Sequence, residues 1–496
     1  MGLSVSSRPL EVEEPSLGSL LAPDRLEGWV WVMAYTAVMT MLSLLRYRLW
    51  IATGFDLGLY EQGLWLILHH GILAASSFTG APILARGASY ILLLLSPLYG
   101  LFGLGFLLAI QAFALGTGYL FLQRIGYLAG LTRGTSRLLG VAYLAFPTVV
   151  GTNLFDFHPD TLGIPILFGI IVLMLEERWV GYGILSLLAF LVKDTMVVVL
   201  FGLGLTLVIR RRPLAGLLTM AGAVVGVYVD VFVLAHGLLH GNLSQWTASY
   251  ANLGPSPQAG IRGLVTHPWR LFLWVRDPRA WEYLVIMLAP LGAGIVLAGR
   301  RLFSPWWIPA LMVLEIDLLS KDPALTDPFH EASLFAVPAL FTAVAWGMGR
   351  SGNRPGAAPL KRAWMGLALV FLLVTAYQVH RTDWHPVANV TALSAAAKLV
   401  PARVPVVTQN FIEPHLSNRR RVWLPSQALG RTLPRGTYVL LVPDHRTGMT
   451  RAATLARLEA QLSGPRVQRI MDPAGGIGMY RILRPLKIRA GKGGTP

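Results

Sequence analysis

The 496-residue sequence contains no cysteine, which excludes disulfides, thiolate nucleophiles and thiolate metal sites. Charge is also scarce. Asp, Glu, Lys and Arg make up 14% of residues, against roughly 25% in soluble domains. With 54% hydrophobic residues and a mean hydropathy of +0.56, the chain reads as an integral membrane protein. There is no solenoid repeat and no Gly-rich phosphate loop. The glycines of GLFGLGF (100–106) sit in apolar sequence with no strand before them and no lysine after, so they read as helix-packing glycines. Residues 1–28 are too polar for a signal-peptide core, and Trp29–Leu45 reads as a retained anchor.

A crossing helix needs about 20 mostly apolar residues. Apolar runs divide the chain into about eleven spans, near 29–45, 105–124, 137–152, 161–175, 180–193, 195–210, 213–236, 283–299, 305–319, 331–349 and 363–379. Ala88–Phe102 is read as a re-entrant or surface-lying helix, not a crossing. That choice leaves Arg124, Arg133, Arg137, Arg210–Arg212 and Arg300–Arg301 inside, as the positive-inside rule prefers. The expected protein is all-α and polytopic, in a bacterial plasma membrane. Its cytoplasmic N-terminal segment is 1–28, its transmembrane domain 29–379, and its first outer loop 46–104. A small extracytoplasmic α/β domain follows over 380–485, with a disordered tail at 486–496. Strands are expected at 404–409, 420–425, 437–443, 466–472 and 479–485, with helices over Thr391–Val400 and Thr450–Leu462. From His380 onward 18 Lys/Arg face 5 Asp/Glu, a surplus of 13 out of the net +17. Such a tail suits anionic lipid headgroups or an anionic envelope polymer. Nucleic acid is not an expected partner.

Fifteen carboxylates lie between Arg46 and Arg350, and this topology puts thirteen of them at or beyond the outer ends of helices. Four constellations stand out. FDLGLYEQGLW carries Asp56 and Glu61, which on one helix would be about 140° apart. Asp56 therefore belongs to the loop and Glu61 to the helix, the alternative being that Asp56 only caps that helix. NLFDFHPDTLGIP packs Asp156, His158 and Asp160 into a Pro-containing turn. This suits a proton relay, a metal ion or sugar hydroxyls, or else an N-cap cluster in which Asp160 caps the next helix. LVKDT places Lys193 and Asp194 at a tight turn, where the lysine is either a phosphate ligand or a snorkelling side chain. DPFHEASLF sets Asp327, His330 and Glu331 at the mouth of a span. Asp230, Glu315 and Asp317 fall within spans, where a carboxylate needs a wet cavity or a partner.

These stretches, with LLLLSPLYGLFG, AFLVKDT and VPVVTQNFIEPHLSNRRRVWLP, resemble in their order a bacterial family of multispanning membrane proteins, the domain of unknown function 2079. That family is itself similar to the GT-C membrane glycosyltransferases. The resemblance runs from about Tyr47 to Pro425. One departure stands out: family members usually carry a histidine shortly before the Ser-Pro helix, where this chain reads ILARGASYILLLL, with Arg86 and Ser89 nearby. The resemblance implies a GT-C-like fold and supports Ala88–Phe102 as part of the first outer loop, but it supplies no substrate. The leading reading is a membrane glycosyltransferase whose donor is a polyprenyl-phosphate-linked sugar, met from the membrane lipid. In that reading Asp56 is the catalytic base. Glu61, Asp156, His158, Asp194, His330 and Glu331 bind sugar and acceptor, and Lys193 and Arg86 neutralise the leaving phosphate. A divalent metal is compatible with these residues but not required. Two rival readings stay open: a transporter or flippase using Asp230, Glu315 and Asp317, and a non-catalytic membrane scaffold.

Overall fold

The computed structural model describes residues 23–241, 248–302, 304–349, 355–443, 451–472 and 476–490. The expectations for 1–22 and 491–496 lie outside the described residues. The first helix, α1 (Pro23–Arg48), has 26 residues and ends on Arg46 and Arg48. It rises about 39 Å, more than the roughly 30 Å hydrocarbon core. A loop follows, holding a five-residue π-turn at Gly54–Gly58, α2 (Leu59–His70) and α3 (Ile91–Phe102). At 12 residues α3 is about 18 Å long. The chain then continues through α4 (Leu104–Leu128), α5 (Arg133–Leu144), α6 (Pro147–Phe155), α7 (Gly163–Leu175), α8 (Trp179–Ala189), α9 (Met196–Ile209) and α10 (Pro213–Val227). After it come α11 (Pro257–Thr266), α12 (Pro278–Leu288), α13 (Gly292–Ala298), α14 (Trp307–Leu319), α15 (Val337–Met348) and α16 (Ala358–Asp383).

Among the described residues six helical stretches are long and apolar enough to cross a membrane, or seven if the bent pair α5 and α6 counts as one. Four further apolar helices, among them α8 and α9, run only 10–17 residues. The bundle is closed by large buried rings. Tyr143 on α5 meets Phe168 of α7 and Phe341 of α15 edge-on, each at 5.6 Å, and its hydroxyl donates to the Leu115 carbonyl of α4 at 2.8 Å. The packing-glycine expectation for GLFGLGF needs correction at its centre. Gly103 has φ +68 and nothing within 4 Å of an added Cβ, so it supplies the left-handed corner that separates α3 from α4.

Among the described residues strands occur only toward the C-terminus: β1 (Val406–Thr408), β2 (Val422–Trp423), β3 (Thr432–Leu433), β4 (Tyr438–Leu441), β5 (Val467–Met471), β6 (Gly478–Ile482) and β7 (Leu486–Lys487). Five form a mixed sheet in the order β2-β1-β4-β6-β5, parallel around β1 and antiparallel around β6. The helices α17 (Val390–Lys398) and α19 (Ala452–Glu459) accompany it, with the single turn α18 at Pro425–Ala428. The tail expected to be disordered from 486 is instead ordered at its start: β7 pairs antiparallel with β3, and Ile488 is buried. Two-residue strands carry too little alternation to be seen in sequence.

This C-terminal module is docked on the loop after α1. His415 stacks between Tyr47 and Trp50, with ring centroids 4.1 and 3.6 Å away. Val422 N–H donates to the Ser77 hydroxyl at 3.0 Å, and the Gln62 amide donates to the Arg419 carbonyl at 3.2 Å. Val422 and Leu424 join the hydrophobic core built by α2, α3 and the start of α4.

Candidate functional site

The site forms where the loop after α1, the α6–α7 turn, the α8–α9 turn and the segment before α15 meet. Asp56 lies inside the π-turn. His158 follows α6 in an extended stretch that Pro159 terminates. Its Nε2 sits 3.5 Å from Asp56 Oδ1 and 3.5 Å from Glu331 Oε1. Its Nδ1 faces the Asp156 carbonyl at 3.3 Å, and its N–H donates to Gln111 Oε1 at 2.8 Å. An imidazole with acceptors at both nitrogens and two carboxylates at one of them is placed to be an imidazolium. Burial would lower its pKa, but Glu331, Asp56 and Asp160 outweigh that and raise it to about 9.

Asp56 answers in kind. Burial works against its ionised form, yet the hydrogen bond and charge of His158, the Thr53 hydroxyl and Arg86 together hold its pKa below the usual carboxylate value. Thr53 Oγ1 donates to Asp56 Oδ2 at 2.9 Å, while Thr53 N–H donates to Asp156 Oδ2 at 2.8 Å. Asp156 is thus a brace under the loop. Burial lifts its carboxyl to about 7, against the pull of Arg46.

Lys193 Nζ bonds Asp160 Oδ1 at 2.5 Å. Burial would lower the lysine's pKa, but Asp160, Tyr60 and Glu331 hold it above the usual value, so it stays a cation. The turn Arg86–Ala88 passes directly over it. Gly87 (φ +62) leaves room for the Lys193 side chain, whose Cε would lie 3.6 Å from an added Cβ, and Ala88 shares the left-handed conformation at φ +53. This turn brings Arg86 beside the same cleft, with its guanidinium 5.1 Å over the Phe55 ring. Side-chain exposure marks the open face. Asp56, Glu331 and Lys193 keep 20%, 24% and 24%, whereas His158 and Asp160 keep 3% and 2%. The partly exposed groups are therefore two carboxylates, Asp56 and Glu331, and one cation, Lys193, while their partners His158 and Asp160 are buried.

Of the residues expected from sequence, Asp56, Arg86, Asp156, His158, Lys193 and Glu331 gather here. His330 lies at the edge, its Nδ1 2.9 Å from Asp327 and its ring edge-on to Phe155 at 4.3 Å. Asp194 also lies against the Arg86 turn, its Oδ1 3.8 Å from the position of a Cβ added at Gly87. Its N–H donates to Gly87 O at 3.1 Å, and its charge reaches Asp230 and Tyr250. Glu61 is elsewhere. It is turned toward the C-terminal module, where its Oε1 accepts from Tyr99 OH at 3.0 Å and from Asn418 Nδ2 at 3.4 Å. Sequence reasoning missed Thr53, Tyr60 and the role of Asp160. An ion pair between positions 33 apart leaves no periodic signal, so Asp160 read only as a cap. Among the described residues no group of three or more His, Asp or Glu side chains is placed to hold a metal ion.

At the opposite end of the bundle the charges pair differently. Arg124 bonds Glu176 at 2.6 Å, and exposed Arg137 and Arg212 pair with Glu27 and Glu177.

A family described as predicted membrane protein (DUF2079) matches residues 46–459. No curated protein matches the sequence. Among solved structures the fold is similar to that of ArnT from Cupriavidus metallidurans, determined in complex with undecaprenyl phosphate. The TM-score is 0.54 at 14% identity, with 91% of this chain and 98% of that one covered.

Proposed function

The chain belongs to the DUF2079 family of predicted membrane proteins, and from that premise we propose that it is a membrane glycosyltransferase. It moves a sugar from a polyprenyl-phosphate donor to a cell-envelope acceptor at the outer face of the plasma membrane. The observation that carries this reading is the gathering of an ionised carboxylate, Asp56, with two cations: Arg86, whose guanidinium lies over the ring of the preceding Phe55, and Lys193, held by Asp160. Undecaprenyl phosphate in the structure of ArnT supports the donor class.

In this reaction an acceptor hydroxyl attacks the anomeric carbon and passes its proton to Asp56. A new glycosidic C–O bond forms as the C–O bond to phosphate breaks. The electron pair leaves with the polyprenyl phosphate, whose charge Lys193 and Arg86 neutralise. A base held below the usual carboxylate pKa suits a hydroxyl that becomes acidic only as it bonds to carbon. Base catalysis then contributes toward the low end of its range, about 10²-fold, and charge stabilisation at the leaving group contributes more. Glu331 and His158 fix the base and orient sugar hydroxyls. The basic surface of the C-terminal module faces an anionic envelope polymer or lipid headgroups. Asp56→Asn keeps the side chain's shape and removes its proton acceptor. With a demonstrated polyprenyl-phosphate sugar this variant is expected to bind donor and lose at least ~10²-fold in transfer. Transfer equal to wild type would falsify the mechanism.

A further inference from the structure

The π-turn that carries Asp56 begins at Thr53, an extended residue (φ −103, ψ 142) in the N-cap position. An N-cap threonine ordinarily accepts a hydrogen bond from a backbone N–H of the first turn. Here its side chain makes no such bond, and the hydroxyl instead donates to Asp56. The first N–H groups of the turn therefore need other acceptors, and one residue far along the chain supplies them. Gly54 N–H donates to the Asn410 carbonyl at 2.7 Å, and Phe55 N–H donates to Asn410 Oδ1 at 2.9 Å.

Asn410 is itself firmly held. It is buried, two residues beyond β1, which lies between β2 and β4 in the sheet. The neighbouring Gln409 accepts the Val442 N–H through its side chain at 2.6 Å, and the Ile412 and Glu413 N–H groups through its carbonyl at 3.0 and 3.1 Å. The contact is close enough to require glycine on the other side. A Cβ at Gly54 would lie 3.0 Å from the Asn410 carbonyl and 2.6 Å from Glu413 Cβ, and one at Gly58 would lie 1.4 Å from Glu413 Oε2. The same hydrogen bond bears on Asp56 and on Arg86. Phe55, whose N–H it holds, precedes Asp56 and carries the guanidinium of Arg86 over its ring.

We infer that Asn410 is a positioning residue for the reaction: it caps the Asp56 turn in trans and so makes the C-terminal module a structural part of the active site. The inference rests on the reading of Asp56 as the base, and its test has an arm that does not. In the full-length protein in nanodiscs, hydrogen–deuterium exchange over residues 53–58 is expected to accelerate about tenfold in Asn410→Ala, the size of one lost buried hydrogen bond. Peptides covering β4 and β6 should exchange as in wild type. Asn410→Asp keeps the side-chain acceptor and is expected to restore protection. In the transfer assay, Asn410→Ala should lower kcat by tenfold or more with donor KM within about twofold of wild type, again rescued by Asn410→Asp. Unchanged exchange over 53–58 would overturn the inference. So would acceleration spread equally through the sheet, which would make Asn410 a general stability residue. A wild-type protein that transfers no sugar would sink the proposed function while leaving the exchange result to decide the capping role.

Discussion

His158 gives one ring nitrogen to two carboxylates, and this geometry dictates how the site responds to pH. A raised pKa means that the imidazolium is present at neutral pH and lost only as pH climbs through about 9. Asp56, held below the usual carboxylate value, stays ionised far into acid. These two groups by themselves leave transfer unchanged across neutral pH, and an alkaline limb near 9 in kcat/KM is expected that disappears in His158→Gln. A limb near the ordinary histidine value of about 6.5 would mean that the two carboxylates do not act on the ring. Lys193 and Asp160 make a second residue-scale case. Because the lysine is oriented by Asp160, Asp160→Asn is expected to raise donor KM by tenfold or more, whereas a helix-capping role alone would leave KM unchanged. Most of the site was legible in the sequence, since Asp56, His158, Lys193 and Glu331 stood in compact polar motifs within apolar surroundings. Glu61 was not, because a spacing of five residues separates two side chains on a helix without saying which one faces the cleft.

The loop elements meet the C-terminal module through a pair of buried carboxyls. Glu413 has no hydrogen-bond partner at either oxygen, and Glu61 lies across from it. Burial, and the neighbouring carboxyl, push Glu413 well above its ordinary value; burial pushes Glu61 from 4.5 to about 7. Carboxyls raised by folding contribute their full stability below the unfolded value and lose it as pH rises through the folded one. The docked state should therefore weaken from about pH 5 to pH 8. Glu413→Gln is expected to remove much of that slope and to raise the melting temperature at pH 8 by a few degrees, read by thermal unfolding at both pH values. A wild-type slope retained in the variant would place the titration elsewhere. At this scale the five strands of the sheet were readable from their β-branched runs, while β3 and β7, two residues each, were not. The docking itself was invisible, because contacts across 355 residues follow no local period.

For the whole molecule, charge is sorted by end. The carboxylates of the cleft lie at one end of the bundle, and the ion pairs of Arg124, Arg137 and Arg212 lie at the other. The absence of cysteine makes the proposed orientation simple to test. Cysteine placed at exposed Ser426 in the C-terminal module should react with a membrane-impermeant thiol reagent in intact cells. Cysteine at exposed Gly134, in the first turn of α5 beside Arg133, should react only after permeabilisation. The reverse pattern would put the cleft on the cytoplasmic face and remove the envelope acceptor from the proposal. The multi-pass character was plain from composition. The number of crossings was not, because short helices such as α8 and α9 are apolar enough to sit in a bundle without the length that marks a span.

The capping of the Asp56 turn by Asn410 also imposes an order of events during synthesis. The two partners are 355 residues apart, and at 5–20 residues per second the ribosome needs on the order of 20–70 s to make the second after the first. Throughout that interval the helices can insert one by one, yet the Asp56 turn lacks its cap. A chain stopped after Asp383 should therefore reach the membrane with residues 53–58 unprotected from exchange and with no transfer activity. On the proposed function, the nascent protein is then kept from transferring sugar until the C-terminal module is made.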